Sequence, residues 1–226
     1  MKRRTMLGGL GLAVVAGAGA FAALRPGAPG ETLIELGAAH AQDAAAPVDT
    51  SQVADMIMGK DDAPVTVIEY ASYTCPHCAN FHADVFPLLR KDYIDTGKVK
   101  FILREVYFDR FGLWAAMLAR CGGQMRYFGI SDILFDTQSD WLAGGDPAGI
   151  GDALRKIGLT AGLTKDQIDA CMNDAKSAEA LVAKYQENAT RDGINSTPSF
   201  LINGTKYSNM AYDEFRKLLD AELAKG

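Results

Sequence analysis

The chain has 226 residues, 48% of them hydrophobic, with 23 basic and 28 acidic side chains and a net charge of −5. That length can bury one good core or two small ones, and the lack of a basic stripe argues against nucleic acid as a partner. Four cysteines are too few for a disulfide-dense scaffold, so their compartment decides their state.

The first residues bear on that compartment. Lys2-Arg3-Arg4 precedes a Gly/Ala-rich apolar run from Met6 to Leu24, closed by Arg25 and Pro26. A charged start, an apolar middle and the small-x-small site Ala39-His40-Ala41 read as an export signal over 1–41. The paired arginines and modest hydrophobicity point to the twin-arginine kind. The run also nearly reaches the ~20 residues of a membrane span, so a retained anchor is the alternative. Either way the folded part is expected in the periplasm, where thiols are usually oxidised. Removal of 1–41 takes away four basic and two acidic residues and moves the net charge from −5 to −7.

Residues 42–60 form a polar lead-in with a short apolar cluster at Val53, Met56 and Ile57. After "DDAP", the β-branched run Val65 to Tyr70 predicts a strand. Apolar residues at Phe81, Val85, Phe86, Leu88, Leu89 and Tyr93 recur at helical spacing, predicting one helix from Pro76 to about Ile94 that Gly97 terminates. Lys98 to Tyr107 alternates like a second strand. Helical periodicity then continues near 111–122, 124–138, 147–157, 164–173 and 175–192, interrupted by Gly122-Gly123, Gly144-Gly145 and Gly162. Thr164 and Gln167 have the spacing of a capping box. Asn203-Gly204 between Ser199–Ile202 and Lys206-Tyr207 is a strong hairpin signal, and an amphipathic helix closes the chain from about Ala211 to Lys225. The order predicts an α/β core in two parts, 61–108 and 193–226, with a helical insertion at 109–192.

Within "TCPHCANFH", Cys75 and Cys78 are three positions apart at the head of a helix that follows a strand. A structural zinc needs four ligands, usually as two close pairs; Cys75, Cys78 and His82 supply three, and no second such pair exists. A structural disulfide here would constrain very little chain. The redox reading fits better. Free N–H groups and the helix dipole at Cys75 favour its thiolate, and His77 adds a donor, and a positive charge when protonated. Pro76, which has no N–H to leave unpaired, suits the first helical position. Cys78, one turn further in, is expected to be buried and to act as the resolving thiol.

The run Val67 to Cys78, "VIEYASYTCPHC", resembles the strand and active-site turn of DsbA-like thiol:disulfide oxidoreductases. The resemblance continues through "FHADVFPLLRKDYIDTGKVKFILRE" and "STPSFLING", over roughly 52–226. It implies a thioredoxin fold with an inserted helical domain, and a CPHC pair of the kind found in strong oxidants. It also implies that Thr197-Pro198 is a cis bond turning the Thr197 backbone towards Cys75, where a bound peptide would make strand-like hydrogen bonds. Threonine before that proline occurs in isomerases and reductases as well. For Glu69 two readings stand: an acid facing solvent from a strand edge, or, by resemblance, a buried acid below the cysteines that relays the Cys78 proton. Some relatives carry a second disulfide. Two thiols buried in an oxidising compartment would be vulnerable, so Cys121 and Cys171 are expected to pair with a structural role.

Of the remaining residues, His82 reads as packing or surface rather than catalytic. Arg104 and Glu105 read as a solvated pair, Trp114 and Trp141 as core of the insertion. Met56, Met58, Met117, Met125, Met172 and Met210 read as core or groove lining. The resemblance implies an oxidase of newly exported, thiol-containing proteins, needing no cofactor beyond the Cys75–Cys78 disulfide and reoxidised by a quinone-linked membrane protein. The rivals are a disulfide isomerase or reductase of the same fold, and a holdase or metal-binding module.

Overall fold

The computed structural model describes residues 48–225. The expected export signal, its cleavage site and the alternative anchor lie outside the described residues. Among the described residues no helix is long and apolar enough to cross a membrane.

A five-stranded mixed sheet has the order β1-β3-β2-β4-β5. Strand β2 (Val65–Ala71) is central, parallel to β3 (Val99–Glu105) on one side and antiparallel to β4 (Ser199–Ile202) on the other. Strands β4 and β5 (Thr205–Ser208) form the expected hairpin. Its turn residues Asn203 and Gly204 have φ of 47° and 83°, the left-handed pair that a tight two-residue hairpin requires. Strand β1 (Met56–Met58) pairs antiparallel with β3. Sequence reading took this stretch as an apolar cluster, because three residues are too short to show alternation.

The two-residue period of β2 sorts its side chains between two layers. Val65, Val67 and Ala71 enter the main core, while Tyr70 joins a small second cluster with Val106 and Leu201. Glu69 shares the parity of Val67 and Ala71 and therefore points into the main core.

The helix expected over Pro76–Ile94 is three pieces. Helix α1 (Pro76–Asp84) ends at Val85, and a short α2 (Phe86–Leu89) runs into a π-helical turn over Arg90–Ile94. Pro87 is the physical reason, since it has no N–H for the preceding turn. Gly97, at φ 76°, then reverses the chain into β3.

Between β3 and β4 lies the helical block: α3 (Arg110–Cys121), α4 (Gly123–Asp136), α5 (Gln138–Leu142), α6 (Pro147–Thr160), α7 (Lys165–Met172) and α8 (Ala175–Arg191). The run expected over 124–138 stops at Asp136, and α5 starts separately after Thr137. The Thr164–Gln167 capping box is present, each side chain bonding the other residue's backbone N–H. Helix α9 (Tyr212–Leu223) closes the fold, and Phe215 packs with Phe81 of α1 and Phe200 of β4.

Cys121 ends α3 and is bonded to Cys171 of α7 across a sequence separation of 50 residues, with Cα atoms 5.8 Å apart. Trp141 is buried, whereas Trp114 is only half-buried. Met125 is 98% exposed, a correction to its expected place in the core or a groove. It stands on the outer side of α4, where a methionine simply faces water.

Arg104 and Glu105 are not a solvated pair. Their adjacent positions on β3 send them to opposite faces of the sheet. Arg104 donates to both carboxylate oxygens of Asp55 (2.9 and 2.8 Å), to Asp192 (3.0 Å) and to the Tyr70 hydroxyl (2.9 Å). Glu105 is buried and accepts two bonds from Arg120 (2.8 and 2.7 Å) and one from Tyr127 (2.7 Å). A charge placed there without those donors would cost several kcal/mol, about 3–5 on loss of one partner.

Candidate active site

Cys75 is the N-cap of α1, with extended backbone (φ −91°, ψ 117°), and Pro76 opens the helix. The Cys75 sulfur thus lies where the first helical N–H groups have no intrahelical acceptor. Its thiol is lowered to about 5. The Cys78 thiol donating to it is the largest cause, and the Thr197 hydroxyl and the backbone N–H groups of Cys78 and His77 add to it, against the opposing effect of burial. Cys75 is 9% exposed, enough for a substrate sulfur to reach it.

Cys78 is fully buried, and its thiol is held far above the usual range, chiefly by burial, then by the Cys75 sulfur and the negative charge of Glu69. One cysteine is therefore an anion and the other a thiol at neutral pH. His77 stands exposed, and what it supplies to the sulfur is its backbone N–H rather than its ring.

Across from the pair, Thr197-Pro198 is cis. The Thr197 carbonyl is 3.6 Å from Cys75 Sγ and accepts from it when the thiol is protonated. The Thr197 hydroxyl is buried with no other hydrogen-bond partner, and it helps to lower the Cys75 thiol. Strand β4 places this residue: Ser199, two positions on, pairs with Tyr70, and β2 leads directly into the cysteine turn.

The turn itself is held by the helical block. Tyr73 donates to Tyr127 (3.2 Å) and shares a 2.6 Å bond with Ser131. Thr74 donates to Asp109 (2.8 Å), the residue that also caps α3 through Phe111 and Gly112. Gln138 donates from one amide nitrogen to the carbonyls of Tyr73 (2.8 Å) and Cys75 (3.1 Å). Each residue from Tyr73 to Cys75 is thus tied to a different helix of the insertion.

Glu69 is fully buried, so the solvent-facing reading does not hold. Its Oε2 is 2.9 Å from His82 Nε2. His82, also buried, stacks on Phe135 with centroids 4.0 Å apart. Its description as a packing or surface residue misses that partnership. Among the described residues no three metal-ligating side chains converge as a cation site.

Sequence reading brought Cys75, Cys78, Pro76, His77, Glu69, Thr197 and Pro198 to one place, and left Cys121 and Cys171 in the insertion. It missed Asp109, Gln138 and the role of His82. An Asp before a helix start is a recognisable cap signal that could have found Asp109, and His82 lies one turn after Cys78. Nothing in the sequence marks Gln138.

A family model described as thioredoxin matches residues 51–221. The chain is 35% identical to a putative protein-disulfide oxidoreductase of Rickettsia typhi, over 75% of this chain and 62% of that one. It is 32% identical to disulfide bond formation protein D of Bacillus subtilis, over 74% of this chain and 76% of the relative. The crystal structure of alpha-DsbA1 from Wolbachia pipientis superposes with a TM-score of 0.69 at 32% identity, covering 76% of this chain and 92% of that one. The chain spans about three fifths of the length of the rickettsial relatives it matches. With a sheet, an inserted helical block and a cysteine turn of this form, the chain belongs to the DsbA-like branch of the thioredoxin family.

Proposed function

We propose that the chain is a periplasmic thiol:disulfide oxidoreductase that donates its Cys75–Cys78 disulfide to exported proteins. A substrate thiolate attacks Cys75 Sγ, the Cys75–Cys78 bond breaks, and its electron pair leaves on Cys78, which takes up a proton. A second substrate thiolate then attacks the substrate sulfur of the mixed disulfide. Cys75 leaves as a thiolate, the substrate has lost two electrons, and the pair has gained them. The chemistry needs no other cofactor, and a quinone-linked membrane protein is the proposed reoxidant. The Thr197 backbone supports the reading as a docking edge for an extended substrate peptide.

The observation that carries this is the division of protonation between the two sulfurs. A well-stabilised Cys75 anion favours the reduced pair and makes its disulfide a strong oxidant. Equilibration with glutathione buffers tests it. An oxidase should come to a potential nearer about −120 mV than the roughly −270 mV of thioredoxin. A thioredoxin-like value would transfer the assignment to the reductase or isomerase reading.

A further inference from the structure

Glu69 and His82 form a pair with one loose end on each side. The bond between them uses Glu69 Oε2 and His82 Nε2. Glu69 Oε1 and His82 Nδ1 are buried and have no hydrogen-bond partner. Leaving such a polar atom unmet is costly, so two in contacting residues call for an explanation. On the inner side, the Glu69 charge is felt by Cys78. On the outer side, His82 forms a wall of an open cleft of about 270 Å³ with Phe86, Pro87, Arg90, Lys91, Asp95, Asp132 and Asp136, a space that admits water. The cleft is a different opening from the face where Thr197 meets Cys75.

We propose that His82 carries the Cys78 proton between Glu69 and the water of this cleft. The inference rests on the reading of Cys75–Cys78 as a reacting disulfide pair, and it adds the route by which that pair exchanges its proton.

The two unpartnered atoms make the route self-resetting. When Cys78 leaves as a thiolate, Glu69 and His82 together hold two protons. Glu69 passes one to Cys78 through an intervening water, His82 Nε2 passes one to Glu69 Oε2, and Nδ1 is replenished by water drawn in from the cleft. One proton enters and one thiol forms. The pair now holds protons on Oε2 and Nδ1. When Cys78 must ionise for reoxidation, Oε1 takes its proton, Oε2 passes one to Nε2, and Nδ1 releases one to the cleft. That restores the starting arrangement, with the same two protons on the pair at each end of the cycle.

The charges facing His82 suit such an exit. Glu69 lies on β2, Asp132 and Asp136 on α4, Arg90 and Lys91 on the π-helical turn, and Asp95 just after it. Arg90 is held by Asp95 (3.6 Å) and Asp132 (3.8 Å). Burial raises the Asp132 carboxyl above its ordinary range, which favours a group that trades protons with the cleft.

The test is stopped-flow and acid-quench reaction of the reduced protein with excess oxidised glutathione. Cys75 attacks first, forming a mixed disulfide and releasing glutathione. Cys78 then loses its proton and closes the Cys75–Cys78 bond, releasing a second glutathione. His82→Gln keeps a donor for Glu69 Oε2 but has no second ring nitrogen, and His82→Phe keeps only the stacking on Phe135. In both variants the closing step should slow by at least ~10-fold, as loss of positioned acid–base help does. The mixed disulfide should accumulate, and the closing rate should rise more steeply with pH than in the wild type. The first step and the Cys75 thiolate titration should stay unchanged. Wild-type closing rates in His82→Gln, or equal slowing of both steps, would overturn the inference. Failure of the wild-type protein to form the Cys75 mixed disulfide at all would instead count against the oxidoreductase reading itself.

Discussion

The uneven protonation of the cysteine pair makes the stability of the reduced protein depend on pH in a calculable way. Cys75 is held at about 5, against about 8.5 for a thiol in the unfolded chain. For a lowered acid, the stabilisation is complete above the unfolded value and disappears as pH falls through the folded one. At about 1.36 kcal/mol per unit, the anion contributes about 2.7 kcal/mol near pH 7 and only about 0.4 near pH 5. Solvent screening at the open end of the site reduces the change over that window to about 2 kcal/mol. The buried Cys78 thiol acts outside this window. Its folded value is raised, so its penalty begins only where the unfolded thiol would ionise, above about pH 8.5. Urea unfolding of the oxidised and reduced forms between pH 5 and 7 measures the effect, with reduction mild enough to leave Cys121–Cys171 closed. The oxidised form has no Cys75 thiol, so groups common to both forms cancel. The stability advantage of the reduced form should shrink by about 2 kcal/mol on going to pH 5, and Cys75→Ser should abolish that pH dependence. A gap that stays level over this range, or widens on acidification, would refute the thiolate argument.

Two further outcomes are expected. Gln138→Leu removes the donor shared by the Tyr73 and Cys75 carbonyls; it should cost about 1–3 kcal/mol in denaturant unfolding and raise the Cys75 titration midpoint, read by thiolate absorbance. Replacing both Cys121 and Cys171 by alanine opens a closure across 50 residues. That should lower stability by up to about 4 kcal/mol and leave the Cys75 midpoint in place.

Much of the fold could be read from local pattern because local pattern causes it. The β-branched run of β2, the Asn203-Gly204 turn and the Thr164–Gln167 box each act over a few residues, and the structure follows them. The cysteine turn was legible for the same reason: a helix start favours an anion wherever it occurs. The misread polar side chains involve partners distant in sequence. Glu105 is buried because Arg120 and Tyr127 reach it from two helices, and Arg104 because Asp55 and Asp192 arrive from opposite ends of the described chain. His82 looked ordinary because its partner Glu69 is 13 residues earlier, on a strand whose parity alone does not say which layer is covered. Gln138 is 63 residues from the carbonyl it clamps, and no rule of spacing would have selected it.

The threonine that faces Cys75 is 122 residues away from it along the chain, and the strand that positions it, β4, is also the second neighbour of β2. Synthesis therefore produces the two sulfurs long before it produces their environment. A nascent or truncated chain that stops short of Ser196 carries an intact CPHC sequence with one edge of its central strand unpaired and the opposing hydroxyl missing. Such a fragment lacks the Thr197 share of what steadies the Cys75 anion. The full surroundings of the cysteine pair are completed only when the last strands of the sheet are made.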